Sequence, residues 1–136
     1  MSTSLAHDVR CLQREALRAI SDALVAIESG QEQYLFSLAE RRAYMQVVLT
    51  QYHAFLHQRL FDPAIAGADD TRAAAARRLK ASCIVAAAAH HAHVRDWPGP
   101  RIAAEWNAYR ATARLAGSQL RRRMLDENEQ LAGLIG

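Results

Sequence analysis

His53 and His57 stand four residues apart. On a helix that spacing brings two imidazoles to one side, where they can ligate a single metal ion. Glu127 raises a related question. At about 100° per residue it shares a face with Leu120, Met124, Leu131 and Leu134. A carboxylate directed into an apolar stripe needs an arginine, a histidine, a metal ion or solvent. Arg123, four residues earlier on a flanking face, is the cation placed to pair with it. His7, near the start of the chain, adds a further imidazole. A second group, His90, His91 and His93, lacks a neighbouring cysteine or carboxylate to complete a ligand set. His90 and His93 share the face of Leu79 and Cys83, so the group reads as core or rim histidines bonded to their neighbours.

Helices must carry all of these side chains. Gly30, Asp62-Pro63, Gly67 and the run Trp97-Pro98-Gly99-Pro100 divide the chain into four helical segments, about 4–29, 31–61, 69–96 and 101–134. Gly30 closes the first, and the residue before Pro63 is expected to end the second. Asp69 or Asp70 caps the third. Each segment has an apolar stripe. The first shows Val9, Leu12, Ala16, Ile20, Leu24 and Ile27; the second shows Leu38, Met45, Leu49, Tyr52, Leu56 and Leu60. The fourth runs from Ile102 through Tyr109 and Met124 to Leu134. The third is built largely of alanine around Leu79 and Cys83, which lets a neighbouring backbone approach closely. Four amphipathic helices with short connections predict one all-α domain, an up-down-up-down antiparallel four-helix bundle.

That topology places His7, His53, His57, Asp69, Asp70 and Glu127 at one end. It places His90, His91 and His93 at the other, where they cannot share an ion with His53 and His57. Side chains turned inward from facing helices are how bundles build metal sites, so the candidate ligands are His53, His57, Glu127 and His7.

Composition narrows the alternatives. The 136 residues are 51% hydrophobic and 23% charged, enough to bury a core without a disulfide or metal staple. No apolar run reaches the roughly 18 residues a membrane span requires, and the first ten residues lack the pattern of a signal peptide. Cys11 and Cys83 form no CxxC motif and fit a reducing, cytoplasmic setting. Seventeen cations against 14 anions give a net charge of +3, but the arginines alternate with acids along the helices. This is the pattern of a solvated surface, and no specific nucleic-acid module is present. Neither a Gly-rich phosphate loop, a nucleophile elbow nor a zinc-protease helix occurs, so no catalytic role is expected.

Two segments carry a likeness. His53-Ala-Phe-Leu-His57-Gln-Arg-Leu-Phe61-Asp-Pro63 and Leu120-Arg-Arg-Arg-Met-Leu-Asp-Glu127-Asn-Glu-Gln-Leu131 resemble the second and last helices of the hemerythrin-like (HHE cation-binding) family. The resemblance implies a four-helix bundle with a non-haem di-iron site at one end. His53 matches the family's histidine, His57 takes the place of its bridging carboxylate, and His7 could occupy the first-helix position. The family also brings two histidines from the start of its third helix, where this chain has Asp69-Asp-Thr-Arg-Ala-Ala-Ala-Ala-Arg77. The resemblance therefore implies an incomplete or absent di-iron site, with iron or zinc held in part or no metal, in a sensing, storage or stress-related role. Dioxygen or nitric oxide would be the small ligand of an iron form. The alternative is a metal-free helical module that binds a protein partner or forms a homodimer. A histidine phosphotransfer bundle is a third reading, but Lys80, the only lysine, is far from His53.

Overall fold

The computed structural model describes residues 4–135, and among these there are helices and no strand. The first helix, α1 (Leu5–Glu28), begins where Ser4 turns extended, its hydroxyl accepting from the His7 backbone N–H at 3.1 Å. That bond satisfies one of the donors every helix start leaves open. The helix ends at Ser29, and Gly30 follows with φ +101° and ψ 161°, a conformation that side-chain-bearing residues avoid. The expected stop at Gly30 is therefore observed.

The second expected helix is divided. A short α2 (Gln31–Phe36) stops at Ser37, whose φ of −102° and ψ of 6° break the helical path before α3 (Leu38–Leu56). Arg41 holds the break together, donating from Nε to the Ser37 hydroxyl at 2.9 Å and from Nη2 to the Tyr34 carbonyl at 2.6 Å. Its guanidinium also lies over the Tyr34 ring, 4.0 Å from the centroid.

Pro63 does not end this helix, contrary to expectation. A π-helical turn (His57–Phe61) follows α3, and helix resumes as α4 (Asp62–Ala66), with Asp62 itself helical at φ −63° and ψ −43°. A proline ring clashes with the carbonyl one turn back and lacks an N–H to bond it. The wider π turn moves that carbonyl aside and absorbs the missing bond.

The chain then reverses at Gly67–Asp69. Asp69 caps α5 (Asp70–Asp96), accepting from the Arg72 N–H at 3.1 Å. Trp97 ends α5, α6 (Gly99–Ala104) carries Pro100 in its first turn, and Glu105 (φ −127°, ψ 47°) separates it from α7 (Trp106–Asp126). Glu127 turns the chain into α8 (Asn128–Ile135). The four long helices, α1, α3, α5 and α7, have 24, 19, 27 and 21 residues. None of the described helices is long and apolar enough to cross a membrane.

Helix α1 packs against α3 and α7, while α5 lies against the π turn, α4 and α8. The buried stripes follow the wheel: Val9, Ala16 and Ile20 of α1 meet Met45, Leu49, Tyr52 and Leu56 of α3. Ala16 and Ala76 are wholly buried, marking places where small side chains admit a close neighbour. A second, aromatic cluster forms around Tyr34, Trp97, Ile102 and Tyr109 where α2, α6 and α7 meet. Each large apolar side chain buried in this way contributes roughly 1.5–3 kcal/mol.

Candidate functional site

Two turns of α3 and the end of α5 bring three of the histidines together. His53 lines a small pocket with His90 and His91, with Gln46 and Thr50 beside them. The expected separation of the two histidine groups is therefore overturned. His53 lies 15 residues before Ala68, at the reversal, and His90 lies 22 after it. At about 1.5 Å per residue, that places them some two turns out of step, not at opposite ends. Burial lowers the His53 pKa to about 4, aided by the charges of His57 and then His91. At neutral pH this imidazole is uncharged.

The other expected ligands lie elsewhere. The half-buried His57 presents its ring edge to Phe61, 5.3 Å between centroids, and burial followed by the charge of Lys80 lowers its pKa. His7 is exposed, its Nε2 3.4 Å from Cys11 Sγ. Glu127 caps α7 and accepts from the Ser82 hydroxyl at 2.7 Å. Arg123 meets the same serine, donating to its carbonyl at 2.9 Å and its hydroxyl at 3.3 Å. The expected pairing of Arg123 with Glu127 thus runs through Ser82 of α5. Asp69 is engaged as the cap of α5. Among the described residues no three His, Cys, Asp or Glu side chains are grouped to hold a metal ion. His53, His57, Glu127 and His7 do not form one ligand group among the described residues.

A cavity of about 190 Å³ lies deeper in the molecule, between α1, α3, α5 and α7. Its walls are mainly apolar, with Ile20 and Leu24 of α1 facing Ala86 of α5 and Ala113 of α7. Gly117 of α7 belongs to the same wall because a Cβ there would stand 2.8 Å from Leu24 Cδ2. Ala89 and Gln119 of the lining are exposed, so the space communicates with solvent.

The polar groups of this cavity are all donors or neutral. Arg41, Arg42 and Arg123 contribute to the lining, which contains no carboxylate. Arg41 and Arg123 are occupied by the bonds already described. The Arg42 guanidinium is engaged by the Tyr109 hydroxyl, while its Nη2, like Nε of Arg110, is buried without a hydrogen-bond partner. A buried guanidinium N–H without an acceptor carries the full cost of its lost hydration, several times the net value of a made bond.

The side chains around Arg42 form a polar corner. Tyr34 and Tyr109 share a hydroxyl–hydroxyl hydrogen bond, and the His93 ring stacks on Tyr109 at 5.8 Å between centroids. Burial and the bond to Tyr34 push the Tyr109 phenol well above its ordinary range. His90 falls to about 4 through burial, then through the charges of His91, His93 and Arg42. Burial and then Arg42 likewise lower His93. Both imidazoles are neutral at pH 7, leaving the guanidinium groups of Arg41 and Arg42 as the charges at this corner.

No family model matches this chain, and no curated protein or solved structure matches it. The site therefore rests on its own geometry. The wheel reading passed over one of its charged residues. Arg42 falls between Leu38 and Met45 on the same stripe, four residues after one and three before the other. Gln13 interrupts the α1 stripe in the same way, between Val9 and Ala16. A polar residue inside a long apolar stripe was the available signal in both cases.

Proposed function

We propose that this chain is a binding protein, an up-down-up-down four-helix bundle whose interior cavity holds a small organic ligand. The packing of α1 on α3 and α7 supports that arrangement, and the alanine-rich face of α5 leaves the space that larger side chains would fill. One observation carries the functional reading: a mainly apolar cavity of about 190 Å³ that opens to solvent and has no side chain of the chain filling it. A bundle built only for structure would fill this space.

The test is a titration with benzene, followed by amide shifts in an NMR spectrum. An apolar cavity of about 150 Å³ is known to admit benzene, so one of this size accepts it. Saturable shifts should centre on Ala86, Ala113 and Gly117, and Ala116→Leu should abolish them by filling the space. Shifts scattered over the surface, or none up to the solubility limit, would end the reading.

The hemerythrin-like reading stands second, and His53 favours it. Burial keeps this imidazole neutral, the form that ligates metals, and it lies beside His90 and His91. That reading requires Glu127 to leave Ser82, and for this reason it is placed second. Metal analysis of protein purified without an affinity tag decides it. Stoichiometric iron or zinc that is lost in His53→Ala supports it; metal-free folded protein excludes it.

A further inference from the structure

We propose that two copies of this chain pair through the outer sides of α3 and α5, antiparallel and related by a two-fold axis. The pairing does not depend on what the cavity holds. The distribution of charge is the first argument. Residues 43–58, in α3 and the π turn, contain no Asp, Glu, Lys or Arg, and neither do residues 81–94 of α5. The other two long helices expose charge, with Arg14, Glu15, Arg18 and Asp22 on α1 and Arg121 and Arg122 on α7. A helix between a core and water needs such a side, whereas one that is apolar all round is a buried helix. On α3 and α5 the exposed positions instead include Val47 and Ile84, each 52% accessible, with Tyr44 and Val85 beside them in sequence. Gln46 and Thr50 of α3 line one small pocket with Ala87 and His91 of α5, so the two uncharged helices adjoin.

Charge also selects the occupant. Glu40 bounds the uncharged stretch of α3, and Arg77 bounds that of α5. Both are exposed, and neither forms an ion pair among the described residues. Counted from the reversal at Ala68, Glu40 lies 28 residues back and Arg77 nine residues on. The middles of the two uncharged stretches lie about 18 and 20 residues from the same point. At 1.5 Å per residue, Glu40 and Arg77 each stand about 14 Å from that middle, at opposite ends. A two-fold axis through the middle sets Glu40 of each copy level with Arg77 of the other. One face thus supplies both halves of the match, as an isologous contact requires.

The face is also large enough. Sixteen residues of helix are about 24 Å long and two helices about 20 Å wide, a footprint near 500 Å² before side chains roughen it. Stable dimers bury roughly 800 Å² of accessible surface per partner, which such a footprint approaches.

Sedimentation equilibrium of the full chain tests the proposal. At about 100 µM it should sediment as a dimer of the 15.1 kDa chain, because interfaces of this size reach micromolar dissociation constants or tighter. Val47→Arg with Ile84→Arg should give a monomer of unchanged circular dichroism, since both positions are half-exposed. Glu40→Arg should raise the dissociation constant about five-fold, and adding Arg77→Glu should return it to within about two-fold of the original. A monomer at that concentration overturns the proposal, including one that binds phosphatidylcholine vesicles, which would assign the face to a bilayer. A dimer that survives both new arginines overturns it by placing the contact elsewhere. A charge exchange without recovery overturns the antiparallel pairing.

Discussion

Gln13 of α1 donates to the side-chain oxygen of Asn128 in α8 at 2.6 Å, so the first and last described helices are joined by an amide pair at the edge of the core. The same nitrogen lies 3.3 Å from the Tyr52 hydroxyl of α3. Three helices thus meet at one polar side chain, itself buried among Val9, Ala16 and Met124. Burial raises the Tyr52 pKa to about 12, so the hydroxyl remains protonated across the working range of the protein.

Removal of the Gln13 amide should therefore cost more than its single bond to Asn128. Gln13→Leu keeps the volume but leaves the buried Tyr52 hydroxyl without this partner, and about 1–3 kcal/mol of stability should be lost. Adding Tyr52→Phe should restore part of the loss, because both ends of the contact are then apolar. Urea unfolding of the two single variants and the double variant measures this coupling. Strict additivity would show that the contact does not contribute.

Acid should weaken the fold before its carboxylates titrate. Unfolded imidazoles titrate near 6.5, whereas folded His53 and His90 titrate at about 4, and His57 and His93 are shifted the same way. Their folded pKa values lie below the unfolded ones, so the unfolded chain binds more protons in the window between them. The stability they contribute is complete above pH 6.5 and declines as pH falls towards 4. Urea midpoints at pH 7.5, 6.5, 5.5 and 4.5 should decline steadily, and His53→Gln with His90→Gln should flatten the profile. An equally steep decline in that double variant would remove these histidines as the cause.

Gly117→Ala should act on the cavity more than on the fold. The new Cβ would stand 2.8 Å from Leu24 Cδ2 and 3.2 Å from its Cγ, so Leu24 must move. The cavity beside it gives that side chain room. Replacing a helical glycine by alanine gains about 1 kcal/mol in propensity, which offsets the cost of repacking. The expected result is thermal stability within about 1 kcal/mol of the original and a loss of benzene shifts in the NMR titration. Unchanged ligand binding would show that Leu24 moved elsewhere.

Much of this fold was legible from residue spacing. Leu38, Met45, Leu49, Tyr52, Leu56 and Leu60 are all buried, as the wheel places them, because rotation along a helix is a local property of the backbone. The caps at Gly30 and Asp69 were legible for the same reason. The breaks at Ser37 and Glu105 carry no glycine or proline, and the π turn at 57–61 reverses the usual meaning of Pro63. These irregularities change how far along the bundle each later residue lies. The distance of His53 from His90 is a separate matter: the wheel gives the face of a residue and not its axial position, which follows from the 15 and 22 residues that separate the two from the reversal at Ala68.

The sequence by itself determined that this chain is helical, where most of its long helices begin, and which side of each is apolar. All of these depend on neighbours within a turn or two. Tertiary structure decided which polar residues on those apolar sides find partners. Gln13 reaches Asn128, and Glu127 reaches Ser82, while the buried Nη2 of Arg42 meets none. Those outcomes depend on the separation and axial offset of helices distant in sequence, which are set by the summed volumes of the side chains between them. Alanine and glycine on α5 and α7 leave a gap in that sum, and the cavity beside Arg42 is the result.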